Sequence, residues 1–203
     1  MGMALSLGTA SSQSADTIDL GPGSYVFWIS NYDGGTDRFE EKLVYGTEEL
    51  GIYQNLYEGV EVSPSEHFAL FSGIYFVTCD SEMPTPAERE AIANLRPFAA
   101  GKTATIATEG GAEMVVGEAT NVFLMGRDWP AHRIELSYPD EDGETSNETI
   151  TVLDDLPLTV RINWDDGTKD TAMLVTRSKE NSEFVPDPGL IGNCASLLRD
   201  PEE

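Results

Sequence analysis

RINWDDGTKDTAMLV, residues 161–175, carries the clearest signal of the fold class. Apolar and β-branched residues flank a central Asp166-Gly167 pair on both sides. Glycine readily adopts the positive φ of a tight hairpin turn, and an Asp-Gly pair between two extended runs is a strong hairpin signal. The stretch therefore predicts two antiparallel strands joined by a short turn.

Similar strand signals recur along the rest of the chain. Runs rich in aromatic and β-branched residues are short and are separated by Gly and Asp turns, which favours antiparallel pairing over parallel strand–helix–strand units. We predict a mainly β fold, an antiparallel meander that forms a curved sheet or half-barrel. The other predicted strands cover residues 24–32, 38–45, 50–57, 68–78, 102–108, 113–125, 132–138 and two segments within 135–153.

One short helix interrupts this pattern, at about residues 85–95. Thr85 supplies a hydroxyl at the N-cap, Pro86 occupies the first helical position, and Glu88 stands where a capping box requires a carboxylate. Ile92 and Leu95 give the helix an apolar stripe at helical spacing. We expect this helix to pack on one face of the sheet.

The chain divides into a short N-terminal segment and one β-rich domain. Residues 1–16 contain a short apolar stretch followed by small and polar residues, but lack a basic start and a complete apolar core. We interpret them as a residual signal peptide or a disordered tail, and residues 17–203 as a single domain. No run approaches the roughly 18 apolar residues of a membrane-spanning helix.

The charge composition restricts the partners. Twelve Lys and Arg against 36 Asp and Glu give a formal charge of −24. Binding to nucleic acid or to anionic lipid requires clustered basic residues, so we expect neither partner. The dispersed carboxylates are typical of a solvated surface, and the Asp-Gly segments resemble turns more than the spaced ligand series of a calcium loop.

The two cysteines, Cys79 and Cys194, lie 115 positions apart. A nucleophilic cysteine needs a base and a cationic environment, whereas Asp80 and Glu82 follow Cys79. An even number of cysteines in an exported chain favours a disulfide. We favour a Cys79–Cys194 bridge and a periplasmic or extracellular location; two buried free thiols or a catalytic Cys79 are the alternatives.

Other catalytic signals are weak. His67 and His132 stand far apart without a ligand cluster, so no metal site is expected, and no cofactor motif is present. No serine lies in a G-x-S-x-G elbow, and no pair of carboxylates has a distinctive spacing. We therefore assign no catalytic residue and expect no cofactor.

Aromatic residues concentrate in the first 80 positions. In the strand at 24–32, Tyr25 and Phe27 alternate with Val26 and Trp28, so both faces are apolar and both are expected to be covered. An ordinary core explains this pattern, and so does a concave sheet that holds an apolar ligand. For the second case we predict ligand contacts from the following aromatic residues: Tyr25, Phe27, Tyr53 and Phe71.

Two motifs carry a resemblance to a protein family. The segment at 95–103 reads L-x-P-x-x-x-G-K-T, and LPLTVRINWDDGTKDTAMLV follows at 156–175. In this order they resemble poorly characterised exported bacterial β-rich proteins, which are similar in outline to periplasmic lipoprotein carriers. Between them the chain has MGRDWPAHRIEL, where the family has a V-P-A-G-type turn. The resemblance implies a curved sheet wrapped around a helix in an exported, non-catalytic protein, and no active site.

The leading functional hypothesis is an exported envelope protein that binds an apolar small molecule or an envelope protein. A carboxylate-based hydrolase and a structural or adhesive surface module are the alternatives. A deep apolar cavity favours binding, and two convergent carboxylates in a cleft, one with a raised pKa, favour hydrolysis. A filled core with a flat exposed edge favours the structural module. The sequence gives no oligomeric state.

Overall fold

Twelve antiparallel strands form one sheet in the computed structural model, which describes residues 18, 20–21, 23–57, 60–61, 67–108, 111–139, 143–177 and 192–198. The strands are β1 Ser24–Tyr32, β2 Gly35–Gly46, β3 Leu50–Tyr57, β4 Val60–Glu61, β5 His67–Phe71, β6 Tyr75–Thr78, β7 Thr103–Ile106, β8 Ala112–Leu124, β9 Arg127–Pro139, β10 Thr145–Leu153, β11 Thr159–Asn163 and β12 Lys169–Arg177. Helix α1 spans Pro86–Ala93, and a 3-10 helix spans Gly192–Leu198.

The sheet consists of two meanders, β1–β6 and β7–β12, joined where β1, the first strand of one, pairs with β12, the last strand of the other. Its order is β6-β5-β3-β2-β1-β12-β11-β10-β9-β8-β7, with β4 paired to β3. Strand β1 pairs antiparallel with β12, and Val26 lies opposite Val175. The two outermost strands, β6 and β7, are consecutive in the chain and are connected through α1. The sheet is thus open, and the helix links its two edges.

The residues at the start of α1 explain where the helix begins and how it is attached to the sheet. Thr85 caps the helix in the predicted capping box, and Pro86 opens it. The Glu88 carboxylate also accepts hydrogen bonds from the backbone N–H groups of Ala107 and Thr108, at 2.6 and 3.0 Å, and from the Thr108 hydroxyl at 2.7 Å. These bonds lower the pKa of Glu88 to about 2, with the Thr85 side chain as the largest cause. Glu88 therefore fastens the start of the helix to the end of β7.

Two clusters of buried side chains form the core. The first joins Val77 of β6 and Ile92 of α1 to Ile106 of β7, together with residues of β8, β9 and β10. The second contains Val26 of β1 and Val160 of β11, with residues of β2, β3, β5, β8, β9 and β12. Each cluster draws side chains from both meanders, so packing as well as strand pairing holds the two halves together.

The turn between β5 and β6 lies directly against the β10–β11 connection. Gly73 has a φ of 72°, and a Cβ atom there would come within 2.3 Å of the Pro157 carbonyl carbon, so the position requires glycine. The Thr159 hydroxyl donates to the Gly73 carbonyl at 2.7 Å. We call this contact the seam, defined by Ser72, Gly73, Pro157 and Leu158.

Arg96 strengthens the seam from one side. Its guanidinium donates to the backbone carbonyls of Ser72 on one turn and of Leu153, Asp154 and Leu156 on the other, at 2.6 to 3.2 Å. Burial lowers the pKa of this guanidinium, and the nearby Asp154 and Asp155 carboxylates oppose the effect. Four carbonyls on two connections share one side chain, which fixes their relative position.

Cys79 and Cys194 form a disulfide with an S–S distance of 2.06 Å and a Cα–Cα distance of 5.1 Å. Cys79 directly follows β6, and Cys194 lies in the 3-10 helix. Both cysteines are fully buried in the first cluster. The bridge therefore attaches the 3-10 helix to the edge of the sheet beside α1.

The predicted fold class is confirmed: a mainly β, antiparallel sheet with one short α-helix in the described residues. The hairpin at 161–175 forms β11 and β12, and Gly167 has the required positive φ of 87°. The single strand predicted over 68–78 is wrong, because Ser72 and Gly73 adopt positive φ and divide it into β5 and β6. The predicted tail at 1–16 lies outside the described residues.

Candidate functional site

A cavity of about 390 Å³ lies against one face of the first meander and reaches the second. Its size falls within the usual range of small-molecule sites, roughly 300–1,000 Å³. The first meander supplies side chains from β1, β2, β3, β5 and β6, and the second supplies them from β10, β11, β12 and the connections beside them. Both meanders therefore contribute to the wall of the cavity.

Strand alternation explains which residues reach the cavity. Successive side chains of a strand point to opposite faces, so residues two apart share a face. Trp28 and Ser30 of β1, and Phe39 and Glu41 of β2, line the cavity in this way. The register places Trp28 opposite Phe39. The same rule brings further pairs from β3, β5 and β6: Tyr53 and Asn55, Phe68 and Leu70, Phe76 and Thr78.

Aromatic rings form much of the wall. Trp28 stacks on Phe39, with ring centroids 5.9 Å apart. A second series begins with Tyr53 stacked on Phe68 at 5.4 Å, and edge contacts of 6.3 and 6.0 Å then continue through Phe76 to Trp164. Such contacts orient the rings and leave their remaining surface to the cavity. The cavity is lined by six aromatic residues: Trp28, Phe39, Tyr53, Phe68, Phe76 and Trp164.

The carboxyl group of Glu41 lies in the same cavity wall as these rings. The Trp28 indole N–H donates to Glu41 Oε2 at 2.8 Å. Burial raises the pKa of Glu41 to about 8; the Trp28 hydrogen bond opposes the rise and the negative charge of Asp170 adds to it. Glu41 therefore carries a proton over most of the range below pH 8.

Asp170 supplies a second carboxylate and is 6% exposed. The Trp164 indole N–H donates to its Oδ2 at 2.7 Å. Its Oδ1, and the Oδ1 of Asn55, are buried and have no hydrogen-bond partner among the described residues. Buried acceptors are nearly always satisfied, so two unpaired acceptors on residues that line one cavity favour a ligand that carries a hydrogen-bond donor or a positive charge.

Two more titratable residues face this space. His67, which is buried, lies at the start of β5, and Asp37, which is exposed, lies on β2. Lys and Arg are absent from the described residues that line the cavity. The site is therefore aromatic and acidic, with one buried imidazole.

The sequence-predicted contact residues occupy different places. Tyr53 lines the cavity. Tyr25 and Phe27 lie on the face of β1 opposite to Trp28, with their rings 6.4 Å apart, and Phe71 is buried in the first core cluster. These three do not line the cavity, and their contact with a ligand stays a prediction.

The residues that sequence reasoning missed carry a recognisable signal. Asp37, Phe39 and Glu41 alternate on one face of β2, and Tyr53 and Asn55 do so on β3. Carboxyl or amide groups that alternate with aromatic residues on a face otherwise expected to be core indicate a lined cavity rather than packing alone.

A second cavity, of about 490 Å³, lies beside the seam and is lined by Arg96, Asp154 and Asp155 among others. Arg96 already donates to four carbonyls there, and His132 Nδ1 lies 2.8 Å from Asp154 Oδ1. Arg96 and Asp154 are thus already engaged in contacts within the protein, which gives this cavity a structural explanation.

A smaller cavity, of about 250 Å³, adjoins Tyr138 and Glu148 near Trp164. The Tyr138 hydroxyl donates to Glu148, and the Ser146 hydroxyl donates to Asp165. Burial raises the pKa of both Tyr138 and Glu148. Within each pair the two side chains satisfy each other's hydrogen-bonding groups. The first pair links β9 to β10, and the second links β10 to the turn after β11.

Metal and membrane features are lacking in the part of the chain that the structure describes. Within those ranges, no group of three or more His, Cys, Asp or Glu is arranged to hold a metal ion. None of the helices there has both the length and the apolar character needed to cross a bilayer.

No protein-family model matches the chain, and no curated protein matches it. A crystal structure of the hypothetical lipoprotein YmcC from Escherichia coli K12 is similar, with a TM-score of 0.46 and 11% identity over 80% of this chain and 90% of that chain. A likeness of this degree carries no functional argument.

Proposed function

We propose that the protein is an exported, non-catalytic binding protein of the cell envelope that holds a small molecule in the aromatic cavity. One observation carries the proposal: six aromatic residues line one cavity together with Asn55 and Asp170, each of which has a buried acceptor oxygen without a hydrogen-bond partner among the described residues. A core built for stability alone would close this space, because unfilled volume and unsatisfied acceptors both cost free energy. The cavity therefore supports binding over a purely structural or adhesive module.

The disulfide supports the exported location. Disulfides persist in oxidising compartments such as the periplasm and the extracellular space, and they are rare in the reducing cytosol. Cys79 and Cys194 are fully buried and bridged. We propose a periplasmic or extracellular location on this basis.

Native mass spectrometry tests the binding function. The protein is purified from its own host under non-reducing conditions and measured before and after denaturation. We expect an additional small-molecule mass that disappears on denaturation. The matched variant is Ser30→Phe, which places a large side chain on the cavity wall and should lack the additional mass while remaining folded by circular dichroism. A bare mass for the wild type contradicts the proposal.

A hydrolase is the second candidate, because Glu41 has a raised pKa and is close enough to Asp170 for their charges to interact. A protonated acid beside a carboxylate is the arrangement of many glycoside hydrolases. However, each carboxyl group already accepts a hydrogen bond from an indole, at 2.8 and 2.7 Å. Turnover of a chromogenic glycoside that Glu41→Gln abolishes would favour the hydrolase and would replace the binding proposal.

A further inference from the structure

The aromatic cavity has a consistent electrostatic character, from which its ligand class follows. We propose that it takes a small organic cation, a substituted ammonium; this inference rests on the proposed binding function. The described lining residues offer carboxyl groups, an amide oxygen and aromatic rings, without Lys or Arg. The whole chain carries a formal charge of −24, which also attracts cations and repels anions.

Asp170 gives the cavity its charge-specific contact. The residue is 6% exposed, and its Oδ2 is satisfied by Trp164 while its Oδ1 has no partner among the described residues. A buried carboxylate with an open oxygen is costly unless a positive charge or a donor compensates it. A bound ammonium supplies that charge.

The rings provide the second half of the recognition. Aromatic faces carry partial negative charge and attract cations within about 6 Å of the ring centroid, most strongly in Trp. Trp28 and Trp164 each line the cavity and each donate an indole N–H to a carboxyl group. The position of each Trp ring is therefore fixed beside a carboxyl group, where a cation can contact both.

A metal ion fits this site poorly. Calcium and magnesium need six or more oxygen ligands close to the ion, and rings cannot supply them. In the described part of the chain no cluster of His, Cys, Asp or Glu has that arrangement. A substituted ammonium keeps its apolar groups against the rings and needs few directed contacts, which matches the mixture of side chains present.

Choline and 3,3-dimethyl-1-butanol form a matched pair of probes, because the alcohol replaces the quaternary nitrogen of choline with carbon. Binding of each to the full chain is measured by isothermal titration calorimetry at pH 8.5. We expect saturable choline binding at least about tenfold tighter than binding of the neutral alcohol, given the strength of a desolvated cation–aromatic contact. Equal or tighter binding of the alcohol, or no saturable choline binding, overturns the proposal.

Two variants separate charge from shape. Asp170→Asn keeps an acceptor for Trp164 and removes the charge, and we expect about tenfold weaker choline binding with unchanged binding of the alcohol. Phe76→Leu removes one ring of the wall and should weaken choline binding severalfold. Asp128→Asn and Phe123→Leu are the matched controls, since both residues are exposed on strands that do not line the cavity.

The outcomes distinguish this inference from the proposed function. If the neutral alcohol binds, Ser30→Phe abolishes that binding and choline does not bind, then the cavity is a binding site and the cation proposal is wrong. If Asp170→Asn fails to fold by circular dichroism, Phe76→Leu decides the question in its place. Unchanged choline affinity in a folded Asp170→Asn or Phe76→Leu variant overturns the proposal.

A lipid headgroup could present the same ammonium chemistry as a free small molecule. Sedimentation with phosphatidylcholine vesicles, with and without soluble choline, distinguishes the two sources. We expect the protein to remain in the supernatant, as for a free ammonium ligand. Sedimentation that soluble choline reverses would also support the ammonium site and would assign it to a headgroup.

Discussion

Replacing Glu41 with glutamine should change how stability depends on pH. Burial raises the pKa of Glu41 from 4.5 to about 8. Between these values the unfolded chain has released the proton while the folded chain retains it, so raising the pH favours unfolding. The stabilising contribution of the protonated group is complete below pH 4.5 and is lost as the pH rises through 8. A glutamine side chain at this position cannot titrate, so the Glu41→Gln variant should not show this loss.

The magnitude follows from the two pKa values. A tenfold change in proton affinity corresponds to about 1.4 kcal/mol, so a rise from 4.5 to about 8 has an upper limit of about 5 kcal/mol. Part of the Glu41 side chain faces the cavity, where solvent screens its charge. We therefore expect the wild type to lose about 2–4 kcal/mol relative to Glu41→Gln between pH 5 and pH 8.5.

Urea unfolding at several pH values, followed by far-ultraviolet circular dichroism, measures this difference. Glutamine retains an acceptor for the Trp28 indole, so the two proteins should be similar at pH 5 and should diverge above it. Glu40→Gln is the matched control, because Glu40 lies next to Glu41 on the opposite face of β2, and it should follow the wild type. Parallel stability curves for wild type and Glu41→Gln from pH 5 to 8.5 would show that Glu41 has no raised pKa in the folded protein.

The remaining predictions concern the seam, the disulfide and ligand binding. Arg96→Lys should cost about 3–5 kcal/mol of unfolding free energy, since one ammonium cannot satisfy four carbonyls. The control Arg133→Lys, at an exposed position, should cost under about 0.5 kcal/mol. Similar urea midpoints for the two variants would contradict the role of Arg96. The double variant Cys79→Ser with Cys194→Ser should lose about 2–5 kcal/mol, because the bridge closes a loop of 115 positions, and an unchanged melting temperature would argue against that role. Choline affinity should increase from pH 6 to pH 8 and then level off as Glu41 ionises. The other titratable residues that line the site are Asp37, Tyr53, His67 and Asp170. The pH dependence of choline affinity should be much weaker in Glu41→Gln, and an equal pH dependence in both proteins on calorimetry would contradict the role given to Glu41.

The fold could be predicted because its signals are local. The Asp166-Gly167 turn and the Thr85–Glu88 capping box each depend on a few neighbouring residues, and both form as expected. The division of residues 68–78 was missed, because it depends on a distant contact: Gly73 turns where Pro157 leaves no space for a side chain. Such a requirement is invisible without the partner segment.

The site was harder to predict for a similar reason. Alternation shows which residues share a face, but it does not show which face of β1 meets the second meander. The sequence favoured the face of Tyr25 and Phe27, whereas Trp28 on the other face lines the cavity. Asp170 reaches the site only because β12 pairs with β1, a pairing between distant parts of the chain.

The order of strands has a consequence for how the protein acquires its cavity. Each meander can form from neighbouring hairpins, because its strands pair in sequence order. The β1–β12 pairing, in contrast, must wait until both meanders have been synthesised. The carboxyl groups of Glu41 and Asp170 come close enough to interact only at that last step. Binding of a ligand in the cavity would thus report when β1 pairs with β12 during folding. It would follow any signal that reports strand formation alone.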